Sequence, residues 1–115
     1  MNNRIDQIKK TLAKEGISEK VITQMKELRE WFKANLNEPG YVKMIRLAYE
    51  NIEENSGDYT FLYLEEDDGK SNLEYFLDLL GEYQNKYNKE ELQEIRNLME
   101  GIVPETEEEE ETAGE

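Results

Sequence analysis

Residues 18–36 read SEKVITQMKELREWFKANL, and this stretch decides the fold. Five large apolar side chains in it follow one another at steps of four, three, four and four positions, a spacing that places them on one face of an α-helix. Ser18 precedes the first of them and is a typical helix N-cap residue. The stretch therefore predicts an amphipathic helix with an apolar face made of Val21, Met25, Leu28, Phe32 and Leu36.

Helical spacing recurs on both sides of this stretch. Upstream, a short apolar series is followed by Gly16, which can adopt the left-handed conformation that ends a helix. Downstream, Asn37 or Glu38 can cap a third helix whose first turn contains Pro39. The apolar positions of these two helices are Ile5, Ile8 and Leu12, and then Tyr41, Ile45, Ala48 and Ile52 with Val42, Met44 and Tyr49 beside them.

The second half of the chain predicts two more helices. Ser71 or Asn72 can begin a fourth helix that continues to Tyr87. Residues 88–91 have the spacing of a capping box, which predicts that a fifth helix begins there. The inward positions would be Leu73, Phe76, Leu77, Leu80, Tyr83 and Tyr87 in the fourth helix, and Leu92, Ile95, Leu98, Met99 and Ile102 in the fifth.

These patterns predict an all-α protein, a compact bundle of four to five short amphipathic helices. The domain would span residues 1–104, and residues 105–115, which hold seven Glu and no base, would form a disordered acidic tail. One segment is ambiguous. Residues 59–64, Tyr-Thr-Phe-Leu-Tyr-Leu, have the composition of a β-strand, but no second strand candidate exists to pair with them. A packed loop or a helical turn is therefore an equal expectation for that segment.

Charge is distributed unevenly along the chain. Residues 1–50 hold ten Lys and Arg against seven Asp and Glu, whereas residues 51–104 hold four against fourteen. With the tail, the net charge is −14. Such an asymmetry bears on solubility and on partners rather than on the fold. It favours a partner with a basic surface and makes direct binding to nucleic acid unlikely to be the function.

The composition excludes several chemistries. The chain has no Cys and no His, so it lacks thiolate nucleophiles, zinc–sulfur sites and imidazole bases. Gly69-Lys70-Ser71 follows an apolar run as in a phosphate-binding loop, but Leu64 stands where such a loop needs its first Gly. The same loop fails the Ca²⁺-binding EF-hand pattern at its first and last ligand positions. We therefore expect no catalytic activity, no cofactor and no metal.

The remaining function is the binding of another protein. Tyr is common in binding surfaces because it provides a large, stiff contact with a polar tip, and exposed carboxylates would attract a basic partner. Leu47 lies outside the apolar arc of its helix and is a candidate exposed contact. The full set of candidate partner-binding residues is Leu47, Tyr59, Phe61, Tyr63, Glu65, Glu66, Asp67, Asp68, Glu74 and Asp78.

Two alternatives use the same charges differently. Acidic residues at 65–68, 74, 78, 82, 90, 91 and 94 could imitate the phosphates of DNA and inhibit a nucleic-acid-binding protein. Conversely, Lys20, Lys26, Arg29 and Lys33 could contact nucleic acid directly, although the net charge opposes this. The acidic tail could also fold over these bases. No apolar run is long enough for a membrane helix, so a cytoplasmic location is expected, and the oligomeric state stays open.

Overall fold

The computed structural model describes residues 2–63 and 68–101, and within these ranges the chain forms five α-helices and no strand. The prediction of an all-α bundle is confirmed. The helices are α1 (Asn2–Glu15), α2 (Glu19–Asn35), α3 (Pro39–Glu54), α4 (Gly69–Gly81) and α5 (Lys86–Met99).

The five helices close into a ring around one core. Helix α1 packs against α2 and α4, α3 packs against α2 and α5, and α4 packs against α5, so each helix has two neighbours. The predicted apolar stripes face the centre of this ring, where burial removes them from water. Core residues that are 0% or 1% exposed include Ile8, Leu12, Met25, Leu28, Phe32, Met44, Ile45, Ile52, Leu73, Phe76, Leu77, Leu80 and Leu92.

The predicted ends of the first three helices are confirmed. Gly16 follows α1 with φ +75°, a left-handed conformation that suits glycine. Ser18 caps α2, and its hydroxyl accepts a hydrogen bond from the Val21 amide at 3.4 Å. Glu38 occupies the N-cap position of α3 and Pro39 is in the first turn, but the Glu38 side chain makes no capping hydrogen bond.

The prediction for the junction between α4 and α5 is wrong. Helix α4 ends at Gly81, and α5 begins after Asn85, whose side-chain oxygen accepts from the Asn88 amide at 3.2 Å. Asn88, predicted to be the N-cap, instead lies in the first turn of α5. Its side-chain amide donates to the carbonyl oxygens of Leu79 at 3.4 Å and Glu82 at 3.2 Å, which also accept from the backbone amides of Glu82 and Asn85 in the turn after α4.

Two apolar residues predicted to face inward are on the surface. Tyr87 is 61% exposed and Leu98 is 43% exposed. Leu92, Ile95 and Met99 already form the core-facing stripe of α5 at helical spacing. Leu98 lies one position before Met99 of that stripe, and Tyr87 lies five positions before Leu92, so helical geometry turns both side chains away from the core. Ile102 lies outside the described residues.

Residues 59–63 form a packed loop between α3 and α4. Two asparagine side chains take the place of the missing second strand. Asn51 accepts from the Thr60 amide at 2.7 Å, and Asn72 accepts from the Tyr63 amide at 2.8 Å. The loop lies so close to the start of α4 that a Cβ atom at Gly69 would be 2.4 Å from the Tyr59 carbonyl oxygen. Glycine is required there by space.

Residues 64–67 and 102–115 lie outside the described part of the chain. The predicted acidic tail and the domain boundary at residue 104 therefore stay predictions, as does the contact between the tail and the basic first half. None of the five described helices combines the length and the apolar character needed to cross a membrane.

Candidate protein-interaction surface

The structure separates the predicted contact residues by burial. Tyr59 is 1% exposed and lies in the core, so its side chain is not available to a partner. Leu47 is also not the exposed contact that the sequence predicts, because it is partly buried and packs against the core. Phe61 and Tyr63 are partly buried against the same core. The three acids Glu65, Glu66 and Asp67 lie outside the described residues.

An aromatic series connects the 59–63 loop to α4 and α5. The hydroxyl groups of Tyr59 and Tyr63 are 2.6 Å apart, and the rings of Tyr63 and Tyr75 have their centroids 6.0 Å apart. The Tyr75 hydroxyl then donates to the Glu91 carboxylate at 3.0 Å. Burial raises the pKa of all three tyrosines, which keeps the phenols neutral. The series fixes the loop against both helices.

Asp68 serves the local fold. It is the N-cap of α4, and its carboxylate accepts from the Lys70 amide at 3.1 Å and from the Ser71 hydroxyl at 2.9 Å. The hydrogen bond from Ser71, followed by that from Lys70, lowers the pKa of this carboxyl. A carboxylate that stabilises a helix N-terminus in this way has less capacity left for a partner.

Glu74 and Asp78 lie one turn apart on the exposed side of α4 that faces α1. Asp78 forms an ion pair with Lys9 of α1. This hydrogen bond raises the pKa of Lys9, and the nearby charge of Glu74 adds to the effect. The two acids are therefore exposed, as predicted, but they share their side of the molecule with a base.

A different surface combines exposed apolar groups with unneutralised acids. A groove of about 480 Å³ lies between the 59–63 loop and α5, and we call it the α5 groove. Leu62 on one side is 42% exposed, and Leu98 on the other is 43% exposed. Among the described residues, its lining contains two carboxylates and no Lys or Arg. The lining residues are Leu62, Tyr63, Glu91, Glu94, Ile95, Asn97 and Leu98.

Helix α5 carries a second stripe beside the one that faces the core. Tyr87, Glu91, Glu94 and Leu98 follow one another at steps of four, three and four, so they lie along one flank of the helix. We call these four residues the acidic stripe. Within the described part of the chain no base lies within ion-pair distance of either glutamate.

Arg96 of α5 lies on the other flank of the helix, toward α3. Arg96 donates to Glu100 at 3.1 Å, and Lys43 of α3 pairs with the same carboxylate at 3.1 Å. The hydrogen bonds from Arg96 and Lys43 lower the pKa of Glu100. Charge thus differs between two flanks of one helix, with Arg96 toward α3 and with Glu91 and Glu94, for which no ion pair is described, toward the groove.

The basic face of α2, by contrast, is interrupted by acids. Lys26 pairs with Glu53 of α3 at 2.9 Å, and Arg29 pairs with Glu30 at 3.1 Å. Lys26 lies four positions before Glu30, a spacing that allows a helical ion pair, but its ammonium pairs with α3 instead. A helix that contacts DNA needs uncompensated bases along one face, and α2 offers fewer than its sequence indicates.

The sequence reasoning missed Leu62 and Leu98 as surface residues. The sequence places Leu62 in the ambiguous segment 59–64 and predicts that Leu98 faces the core. The spacing of the acidic stripe was a usable signal, since it runs parallel to the core stripe of Leu92, Ile95 and Met99. The sequence holds no signal that the acidic stripe lies beside residues 59–63, because that proximity depends on the tertiary fold.

No cluster of three or more metal-binding side chains occurs among residues 2–63 and 68–101. Comparison with protein-family models, with curated proteins and with solved structures finds no match for this chain. The fold and the surface chemistry are therefore the basis for inferring a function.

Proposed function

We propose that this protein is a non-enzymatic interaction module that binds a protein partner with a basic surface through the α5 groove. The observation that supports this proposal is that exposed Leu62 and Leu98 line the same groove as Glu91 and Glu94. Apolar contacts supply affinity in protein interfaces, and charged groups at their rim set the rate of encounter and the choice of partner. The groove contains both kinds of group within a few residues.

The test places a photo-crosslinking amino acid at Leu62, with the same amino acid at exposed Ala34 of α2 as the control. The experiment uses extract from the native host, and captured proteins are identified by mass spectrometry. We expect a partner that is captured from position 62 and not from position 34. Equal capture at both positions, or none at position 62, would contradict the proposed surface.

Binding of the purified partner then tests the charge. Glu94→Lys reverses one charge in the groove, and Glu27→Lys makes the same change on the exposed face of α2. We expect the first variant to lose affinity about tenfold or more and the second to lose less than about twofold. Affinity should also fall as salt is raised. Equal losses for the two variants would show that only net charge matters.

The same binding assay decides between this function and the two alternatives. Displacement of the partner by duplex DNA would favour a DNA mimic, and a gel shift of DNA by the protein alone would favour direct nucleic-acid binding. A cytoplasmic site of action is part of the proposal, and cell fractionation would test it.

A further inference from the structure

The acidic stripe has a spacing that specifies the form of its partner. Its members are apolar, acidic, acidic and apolar, at steps of four, three and four residues along a helix. At a rise of about 1.5 Å per residue, Tyr87 and Leu98 are roughly 16 Å apart along the axis, with both carboxylates between them. A straight ligand of similar length could contact the whole stripe.

We propose that the α5 groove, together with exposed Tyr87 at the start of the acidic stripe, binds an amphipathic helix of the partner that carries the complementary stripe of apolar, basic, basic and apolar residues at steps of four, three and four. This inference rests on the proposed function and adds the shape of the ligand. An amphipathic helix in an apolar groove is a common mode of peptide recognition, with contacts at one residue per turn. The step pattern is the same in both directions, so parallel and antiparallel docking fit equally.

Charge favours a basic partner helix over two other possible occupants of the groove, which are a second copy of this chain and residues 105–115. A second copy of this chain would bring Glu91 and Glu94 against the same residues of its partner in a symmetric contact, and like charges would oppose the association. Residues 105–115 of the chain contain seven Glu and no base, so they would be repelled in the same way. A helix with two bases in the centre of its contact stripe neutralises both carboxylates.

The groove is also held in place before a ligand arrives. The Tyr75 hydroxyl donates to Glu91, and Asn72 accepts from the Tyr63 amide on the opposite side of the groove. A preformed site loses less conformational entropy on binding than one that must be ordered. We therefore expect the partner helix to become ordered while the groove changes little.

The probe is a synthetic peptide with the stripe Leu-x3-Lys-x2-Lys-x3-Leu on a helix-forming background. Its control is a scrambled peptide of identical composition and charge. Each is titrated into the isotope-labelled full chain, and amide shifts are recorded. We expect shifts at residues 61–63 and 87–98, a rise in peptide helicity, and binding of the striped peptide at least about tenfold tighter than of the scrambled one.

Variants then locate the contact. Leu62→Ala and Leu98→Ala should each weaken striped-peptide binding about fivefold or more, as expected for buried interface contacts. Glu94→Gln should weaken it, whereas Glu27→Gln, which removes the same charge from α2, should not. Leu62 and Leu98 are both exposed at the surface, so replacing either by Ala should leave the fold intact. Amide spectra that are unchanged outside the groove would show that each variant is folded.

Three outcomes of the peptide titrations would overturn the inference. These are equal binding of the two peptides, shifts spread over acids outside the groove, and binding without a gain of peptide helicity. A Leu98-dependent dimer in sedimentation would also overturn it, in favour of a second copy. Since the peptide is synthetic, its failure contradicts only the helical ligand, whereas the absence of a partner crosslinked at position 62 contradicts the proposed function.

Discussion

Asn72 holds the 59–63 loop against α4 with a side chain that is 0% exposed. Its oxygen accepts from the Tyr63 amide at 2.8 Å, and its nitrogen donates to the Asp68 carbonyl at 2.9 Å. A buried polar side chain is tolerated only where its hydrogen bonds are satisfied. Asn72 thus replaces the strand partner that residues 59–63 lack.

We expect Asn72→Ala to lower the free energy of unfolding by about 2 kcal/mol, because the change leaves the Tyr63 amide without its acceptor. Asn51→Ala is the matched control, since Asn51 makes a similar bond to the Thr60 amide at an exposed position. Its loss should be below about 1 kcal/mol because water can replace the acceptor. Urea unfolding measures both, and equal losses would show that burial does not decide the effect.

Ser56 lies two positions after the last residue of α3 and has an unfavourable backbone conformation. Its φ is +59°, and the amide of Gly57 donates to the Ile52 carbonyl at 2.9 Å, which places Ser56 at the left-handed position of a helix C-cap. A residue with a Cβ pays a conformational penalty there that glycine avoids. We expect Ser56→Gly to raise the free energy of unfolding by about 0.5–1 kcal/mol. Ser56→Ala keeps the Cβ, so an equal gain in that variant would contradict the explanation.

Single residues differ in how far the sequence reveals their role. The caps at Ser18 and Gly16 act on neighbours within four positions, and both are confirmed. Asn72 acts on an amide nine positions away, and its sequence context indicated only the start of a helix. Local roles can be predicted from the sequence because the partners are fixed by helical geometry.

At the scale of elements, the junction of α4 and α5 shows where local signals compete. Asn85 and Asn88 are both good N-cap residues, and the sequence pattern around Asn88 matches a capping box. The structure uses Asn85, which frees the Asn88 side chain to bond the last carbonyls of α4. Satisfying two helix ends at once outweighs the local preference, and only the packed structure shows that the ends meet.

Asn85→Ala should therefore lower the free energy of unfolding by about 1 kcal/mol, the usual effect of removing an N-cap side chain. Asn85→Asp should retain most of the stability because its carboxylate can accept the same bond at a helix N-terminus. Hydrogen exchange of the Asn88 amide provides the local readout, since that amide is the donor to Asn85. Unchanged exchange in the Ala variant would mean that Asn85 is not the cap.

The two stripes of α5 predict opposite results for one kind of substitution. Leu92 is 0% exposed, so Leu92→Ala should cost about 2–5 kcal/mol through lost burial and the cavity it leaves. Leu98 is 43% exposed, and Leu98→Ala should cost less than about 1 kcal/mol. Thermal or urea unfolding measures both. A large loss at Leu98 would place it in the core, as the sequence predicts, and would remove it from the α5 groove.

At the scale of the whole molecule, the α5 groove forms where the 59–63 loop packs beside a helix of the ring. The stripes that face the core could be read from the sequence, because each is a property of one helix. The α5 groove could not, since it requires the 59–63 loop to cross beside α5. That position depends on Asn72, on the tyrosine series and on the close contact at Gly69, none of which has a local signal.

Ion pairs between different helices explain why the net charge alone does not predict where unneutralised acids lie on the surface. Described bases of the first half, including Lys9, Lys26 and Lys43, pair with acids of other helices. The molecule therefore uses part of its acidity internally. The acidic stripe of α5 is set apart because its two carboxylates lie on the flank away from Arg96 of α5 and Lys43 of α3.

The tyrosine series gives the whole fold a defined response to alkaline pH. Burial raises the pKa of Tyr59 and Tyr63 above the ordinary value of 10.0. A raised pKa in the folded state means that the neutral phenol stabilises the fold fully below pH 10 and that this stability is lost as the pH rises further. Each of the two tyrosines should remove about 1.4 kcal/mol per pH unit from the free energy of unfolding in that range.

Urea unfolding between about pH 9 and 11 measures this slope. The double variant Tyr59→Phe, Tyr63→Phe is the matched control, because it keeps both rings and removes only the groups that ionise. Its slope should be shallower than that of the parent protein, although the lysines still titrate. Identical slopes would mean that the two hydroxyl groups ionise as freely in the folded protein as in the unfolded chain, and the buried link between the loop, α4 and α5 would then be absent in solution.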